Sequence, residues 1–114
     1  CIENRAADMC MNIYLGLGMS IAGAVKGIQN KMEPGEPCNL NLYEMTDEQF
    51  EAAGIRRLPR NLLIALETLR KDELAMQVMG PVMLKSYLAY KDDEWERYHQ
   101  TVTDWEVSEY LRLF

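Results

Sequence analysis

The sequence predicts a mainly α-helical chain on three observations. Its apolar residues recur at three- and four-residue intervals, helix-starting and helix-stopping residues fall between those blocks, and strand-like alternation appears only around Ile2 to Arg5. The first block, Ala6 to Asn30, places Cys10, Tyr14, Leu17, Ile21, Ala24 and Ile28 at 4-3-4-3-4 spacing, which is one face of a helix and is expected to be core or interface. Gly16, Ser20, Gly23 and Gly27 form a second stripe of small residues. It lets another element approach closely, although each interior glycine costs about 0.5–1 kcal/mol relative to alanine. The uncharged run Met9 to Val25 falls short of the ~20 apolar residues of a membrane span. It also contains Asn12 and Ser20 and is flanked by Asp8 and Lys26, so no membrane segment is expected.

Two prolines and a glycine between Lys31 and Pro37 end that helix. Thr46 with Gln49 has the capping-box form and Gly54 stands as a stop, so Asp47 to Ala53 reads as a short helix. Pro59 and Asn61 announce the next start. Leu62, Leu66 and Leu69 make its stripe, and Asp72 caps a short continuation through Leu74 and Val78. Gly80-Pro81 opens the longest helix, Pro81 to Val102, with Leu84, Leu88, Trp95, Tyr98 and Val102 in helical register and Lys91 in the one polar slot. Thr103 with Glu106 forms a second capping box, and the final helix carries Val107, Tyr110, Leu111 and Phe114 on one side.

A chain of 114 residues with 48% hydrophobic content suits one domain with a modest core. It opens on Cys1, without a charged and apolar leader, and reads as a piece of a longer polypeptide. The net charge of -6 argues against nucleic acid as a partner. The one basic cluster, Arg56, Arg57 and Arg60, reads as a solvated loop. Cys1, Cys10 and Cys38 fit neither a disulfide framework nor a zinc ribbon, and are expected to be free thiols in a reducing cytoplasm. His99 is the single histidine, so no multi-histidine metal site can form locally, and it reads as a polar residue on a helix face.

The chemistry-bearing feature is Glu3 with Arg5. In an extended segment these side chains point the same way, so a carboxylate and a guanidinium could act together on a metal and the anion it neutralises. Taken alone, the triplet reads as an ordinary surface ion pair.

Larger order changes its weight. Ile2-Glu3-Asn4-Arg5, Asn12-Ile13-Tyr14-Leu15, Gly23, Gly27-Ile28, Asn30-Lys31, Pro34-Gly35-Glu36, Asn41-Leu42-Tyr43 and Thr103-Asp104-Trp105-Glu106, in that order and spacing, resemble the C-terminal portion of the glutamine synthetase family across essentially the whole chain. The closing Trp-Glu-x-x-x-Tyr pattern and Leu58-Pro59-Arg60 look more like the branch that joins glutamate to methylamine or other amines. The resemblance implies that residues 1–114 are a helical C-terminal part of a larger catalytic domain, with a short strand-like N-terminal edge.

It implies too an ATP-dependent ligase that phosphorylates the γ-carboxylate of glutamate and transfers the acyl group to ammonia or an amine, with Mg²⁺ or Mn²⁺ in the site. Glu3 matches the family's carboxylate on the metal facing the ATP γ-phosphate, and Arg5 the arginine that binds and stabilises the transferring phosphoryl group. Tyr43 aligns with a tyrosine that some bacterial members adenylylate. The family's ringed homo-oligomers imply that the chain's end packs against another subunit. Asn12-Ile13-Tyr14-Leu15 departs from the usual Asn-Pro-Tyr-Leu, freeing the backbone ahead of the first long helix. The family's other metal carboxylates and nucleotide contacts lie upstream, so this segment alone is expected to be inactive. The rival reading is a non-catalytic helical interaction or oligomerisation module built on the Gly16 to Gly27 stripe and the Tyr110 to Phe114 end.

Overall fold

The computed structural model describes residues 3–113 and is helical, with no strand among the described residues. It divides into two units, Cys1–Leu58 and Pro59–Phe114.

In the first unit, α1 spans Ile13–Gln29 and α2 spans Asp47–Ala52. The expected helical start at Ala6 is corrected: residues before Asn12 form turns instead. Short polar side chains cause this. Asn4 Oδ1 accepts from the Ala6 N–H at 3.0 Å and Asp8 Oδ1 from the Cys10 N–H at 2.7 Å, so the backbone is captured locally before a helix can propagate. Asn12 then caps α1, its Oδ1 accepting from Tyr14 and Leu15 N–H groups at 3.0 and 3.1 Å.

The end of α1 falls where two prolines and a glycine follow. The Met32 N–H reaches the Gly27 carbonyl and the Lys31 N–H the Ile28 carbonyl, with Lys31 in the left-handed region at φ 50°. Helix α2 starts on the expected Thr46/Gln49 capping box and ends in the same motif, with Gly54 at φ 65°. Arg57 returns onto α2, pairing with Asp47 and lying 4.3 Å from the centre of the Phe50 ring. The basic cluster is thus partly folded back rather than wholly solvated.

In the second unit, α3 (Leu62–Arg70) packs on α4 (Glu73–His99), and α5 covers Asp104–Tyr110. The expected caps hold: Asn61 Oδ1 accepts from the Ile64 N–H at 2.9 Å and Asp72 Oδ1 from the Ala75 N–H at 2.9 Å. Helix α4 joins the two segments expected either side of Gly80. Gly80 breaks it at φ 72° and ψ 163°, a conformation open in practice to glycine alone, and Pro81 follows where its missing N–H costs nothing. The helix stops at His99 with Gln100 as its cap, short of the expected Val102. The Thr101 hydroxyl turns back onto the Arg97 carbonyl at 2.7 Å, which closes that end.

Leu66, Ala75 and Leu84, all in this unit, are the fully buried apolar residues among those described. Each belongs to the α3/α4 pair, so the core sits there. Of the two places expected for the apolar face of α1, the core is excluded: within this chain the face is exposed, Tyr14 at 85% and Ile28 at 78%. Phe114, assigned to the stripe of the last helix, lies outside the described residues.

Candidate functional site

Glu3 and Arg5 meet. Arg5 Nε donates to Glu3 Oε1 at 2.8 Å and its Nη2 to Oε2 at 3.4 Å, so the guanidinium fork engages both oxygens. The expectation that they aim to one side holds, but a turn sets it and not a strand. Asn4, between them, folds its side chain onto the Ala6 N–H, and the backbone enters a turn at Arg5. Cys1 and Ile2, the start of the strand-like edge, lie outside the described residues.

Both side chains are open, Arg5 at 84% and Glu3 at 68% exposure. A carboxylate offers about four lone-pair sites and the guanidinium five donors, so each can bind a further group while the pair persists. Glu3 thereby suits one oxygen position on a hard divalent cation. It cannot build the site alone: no group of three or more His, Cys, Asp or Glu side chains among the described residues is arranged to hold a metal.

Tyr43 stands at the tip of a turn between α1 and α2, wholly exposed, with Asn41 Oδ1 accepting from its N–H at 3.3 Å. Its ring is accessible to a modifying reagent. Among the described residues no hydrogen bond joins it to the Glu3–Arg5 pair. Cys10 and Cys38 are free and exposed thiols, as expected. No helix among the described residues is long and apolar enough to cross a membrane.

The sequence model of the glutamine synthetase catalytic domain matches residues 1–110. The chain belongs to the glutamine synthetase family. Among curated proteins it is 43% identical over 113 residues to a glutamate–methylamine ligase of Methyloversatilis universalis, covering 99% of this chain and 25% of that protein. It is 35% identical over 112 residues to a glutamine synthetase of Methanosarcina mazei, covering 98% and 25%, and 34% identical over 113 residues to a glutamine synthetase of Staphylococcus aureus, covering 99% and 25%. The chain therefore spans about a quarter of the length of these carbon–nitrogen ligases.

Family membership does not mark out the polar features of the second unit, and residue spacing found only some of them. Arg70 Nη2 donates to both carboxylate oxygens of Asp92, 22 residues away, a pairing no local pattern announces. Lys91 in its polar slot donates to Glu94 Oε2 at 2.7 Å, and that bond, against partial desolvation, raises its pKa. Four residues apart on α4, Trp95 and His99 stack with ring centres 5.5 Å apart and planes 11° from parallel. Their i, i+4 spacing is the signal that could have found them.

Proposed function

We propose that residues 1–114 are a single C-terminal helical part of a larger catalytic domain, in a cytoplasmic, homo-oligomeric ligase that joins glutamate to ammonia or a small amine at the expense of ATP. The observation that carries it is the family match over residues 1–110 with the open Glu3–Arg5 pair at its start. The 43% identity to a glutamate–methylamine ligase, against 35% and 34% to two glutamine synthetases, supports an amine as the acceptor.

In this reaction an oxygen of the glutamate γ-carboxylate attacks the γ-phosphorus of ATP, the bond to ADP breaks, and γ-glutamyl phosphate results. The amine nitrogen then attacks the γ-carbon, phosphate leaves and a proton is released. Glu3 supplies one hard oxygen ligand to a divalent cation. Bound Mg²⁺ or Mn²⁺ neutralises phosphate charge. Arg5, always charged and planar, lies against the transferring phosphoryl group and spreads positive charge over its oxygens. Tyr43, exposed on its turn, is a candidate adenylylation site. Two residues do not make a closed phosphoryl-transfer site, so the activity belongs to the full-length parent.

The test is ADP release by the full-length parent. It should require glutamate, Mg²⁺ or Mn²⁺ and an amine, and hydroxylamine should capture the acyl phosphate as a γ-glutamyl hydroxamate. Absence of both products under all these conditions would favour the second reading, a helical interaction or oligomerisation module. That reading is supported by the exposed apolar residues of α1 and of the end of the chain.

A further inference from the structure

Between Glu3 and Arg5 stands a residue to which the phosphoryl-transfer chemistry gives no part. Asn4 Oδ1 accepts from the Ala6 N–H at 3.0 Å. That bond closes a ring over Arg5, an Asx turn in which the asparagine side chain imitates a backbone turn. The two soft backbone dihedrals of Arg5 lie inside the ring, so the direction in which its side chain leaves the chain is set there. Strand alternation cannot set it, because the backbone enters a turn at Arg5. Packing does not set it either, since the Arg5 side chain is 84% exposed. Two more short polar side chains capture the backbone between the pair and α1. Asp8 Oδ1 accepts from the Cys10 N–H at 2.7 Å, and Asn12 Oδ1 caps α1 through the N–H groups of Tyr14 and Leu15. Of the three, only Asn4 encloses a residue of the candidate site.

We propose that Asn4 is a positioning residue for phosphoryl transfer, aiming the Arg5 guanidinium through its bond to the Ala6 N–H. The inference rests on the reading of Arg5 as the group that lies against the transferring phosphoryl. Asn4 acts through Arg5 and needs no contact of its own with substrate or metal. Without the Oδ1 acceptor the Arg5 backbone is released to other conformations, and the guanidinium spends time away from the place where charge develops. Misplacement by about 1 Å is enough to cost up to about 10²-fold in rate. Glu3 precedes the turn and lies outside the ring, so its part as a metal ligand does not depend on this bond.

The test is turnover of the full-length parent across a metal titration, for Asn4 variants made in the wild-type and in the Arg5→Ala background. Asn4→Ala should lower kcat about tenfold and leave the Mg²⁺ or Mn²⁺ concentration for half-maximal rate unchanged. Asn4→Ser, whose hydroxyl can accept the same bond more weakly, should fall between Asn4→Ala and wild type. In the Arg5→Ala background, Asn4→Ala should lower kcat no further, because the group it aims is gone. Wild-type kcat in Asn4→Ala would overturn the inference, as would no recovery in Asn4→Ser, a loss confined to the metal requirement, or the same tenfold loss in the Arg5→Ala background. Each of these leaves the assignment of Arg5 standing. A wild-type kcat in Arg5→Ala itself, or no turnover by the wild-type parent, would instead remove that assignment and this inference with it.

Discussion

Glu106 Oε2 accepts from both the backbone N–H and the hydroxyl of Thr103, at 2.7 and 2.8 Å, while the Thr103 hydroxyl oxygen accepts from the Glu106 N–H at 3.2 Å. This reciprocal box fixes where α5 begins. The two Thr103 bonds hold the Glu106 carboxyl below its usual range. The unfolded chain therefore binds this proton more readily than the folded one, and the stabilisation is present above the ordinary glutamate value and lost as pH falls through the folded one. We expect α5 to loosen below about pH 4, read by circular dichroism, and Glu106→Gln to flatten that acid limb. An unchanged limb in the variant would remove Glu106 as its source.

Gly80 adopts φ 72° and ψ 163° inside α4 with open space around the position of a Cβ. A substitution there is penalised by backbone strain and not by collision. Gly80→Ala should destabilise the α3/α4 pair by about 1–3 kcal/mol in denaturant unfolding. A neutral result would contradict the assignment of strain to this position.

Much of the fold is legible in the sequence, because caps and stops are local chemistry. Asn61, Asp72, Thr46 with Gln49, Thr103 with Glu106, and Gly54 all act within six residues of themselves. The start of α1 was not legible from apolar spacing. The small and apolar residues of positions 6–11 continue a helical pattern, and it is the Asn4, Asp8 and Asn12 side chains that take the backbone out of it. At the candidate site the Glu3–Arg5 pairing was legible from a two-residue spacing. Arg70 with Asp92 was not, since only the packing of α3 on α4 brings them together. The role of Glu3 and Arg5 rests on family order and not on their geometry, which an ordinary surface pair would share.

The isolated 114-residue chain should self-associate or be only marginally stable. Large apolar side chains stand open on α1, including Tyr14, Leu17, Ile21 and Ile28, and at the end of the chain Tyr110, Leu111 and Leu113 do the same. Each such side chain left in water forgoes about 1.5–3 kcal/mol, a large share of a small domain's stability. Sedimentation across a concentration series should show mass increasing with concentration. A cooperatively melting monomer at every concentration, without dye binding, would contradict this.

The most direct test of the central claim compares Glu3→Ala and Arg5→Ala in the full-length parent, with turnover measured across a metal titration. Removing a metal ligand acts through cation occupancy, whereas removing a charge on the transferring group acts on kcat. Glu3→Ala should therefore raise the Mg²⁺ or Mn²⁺ concentration needed for half-maximal rate. Arg5→Ala should lower kcat by about 10²- to 10³-fold with little change in that concentration. Turnover and metal dependence like the wild type in both variants would show that the pair is an ordinary surface contact and contradict the assignment.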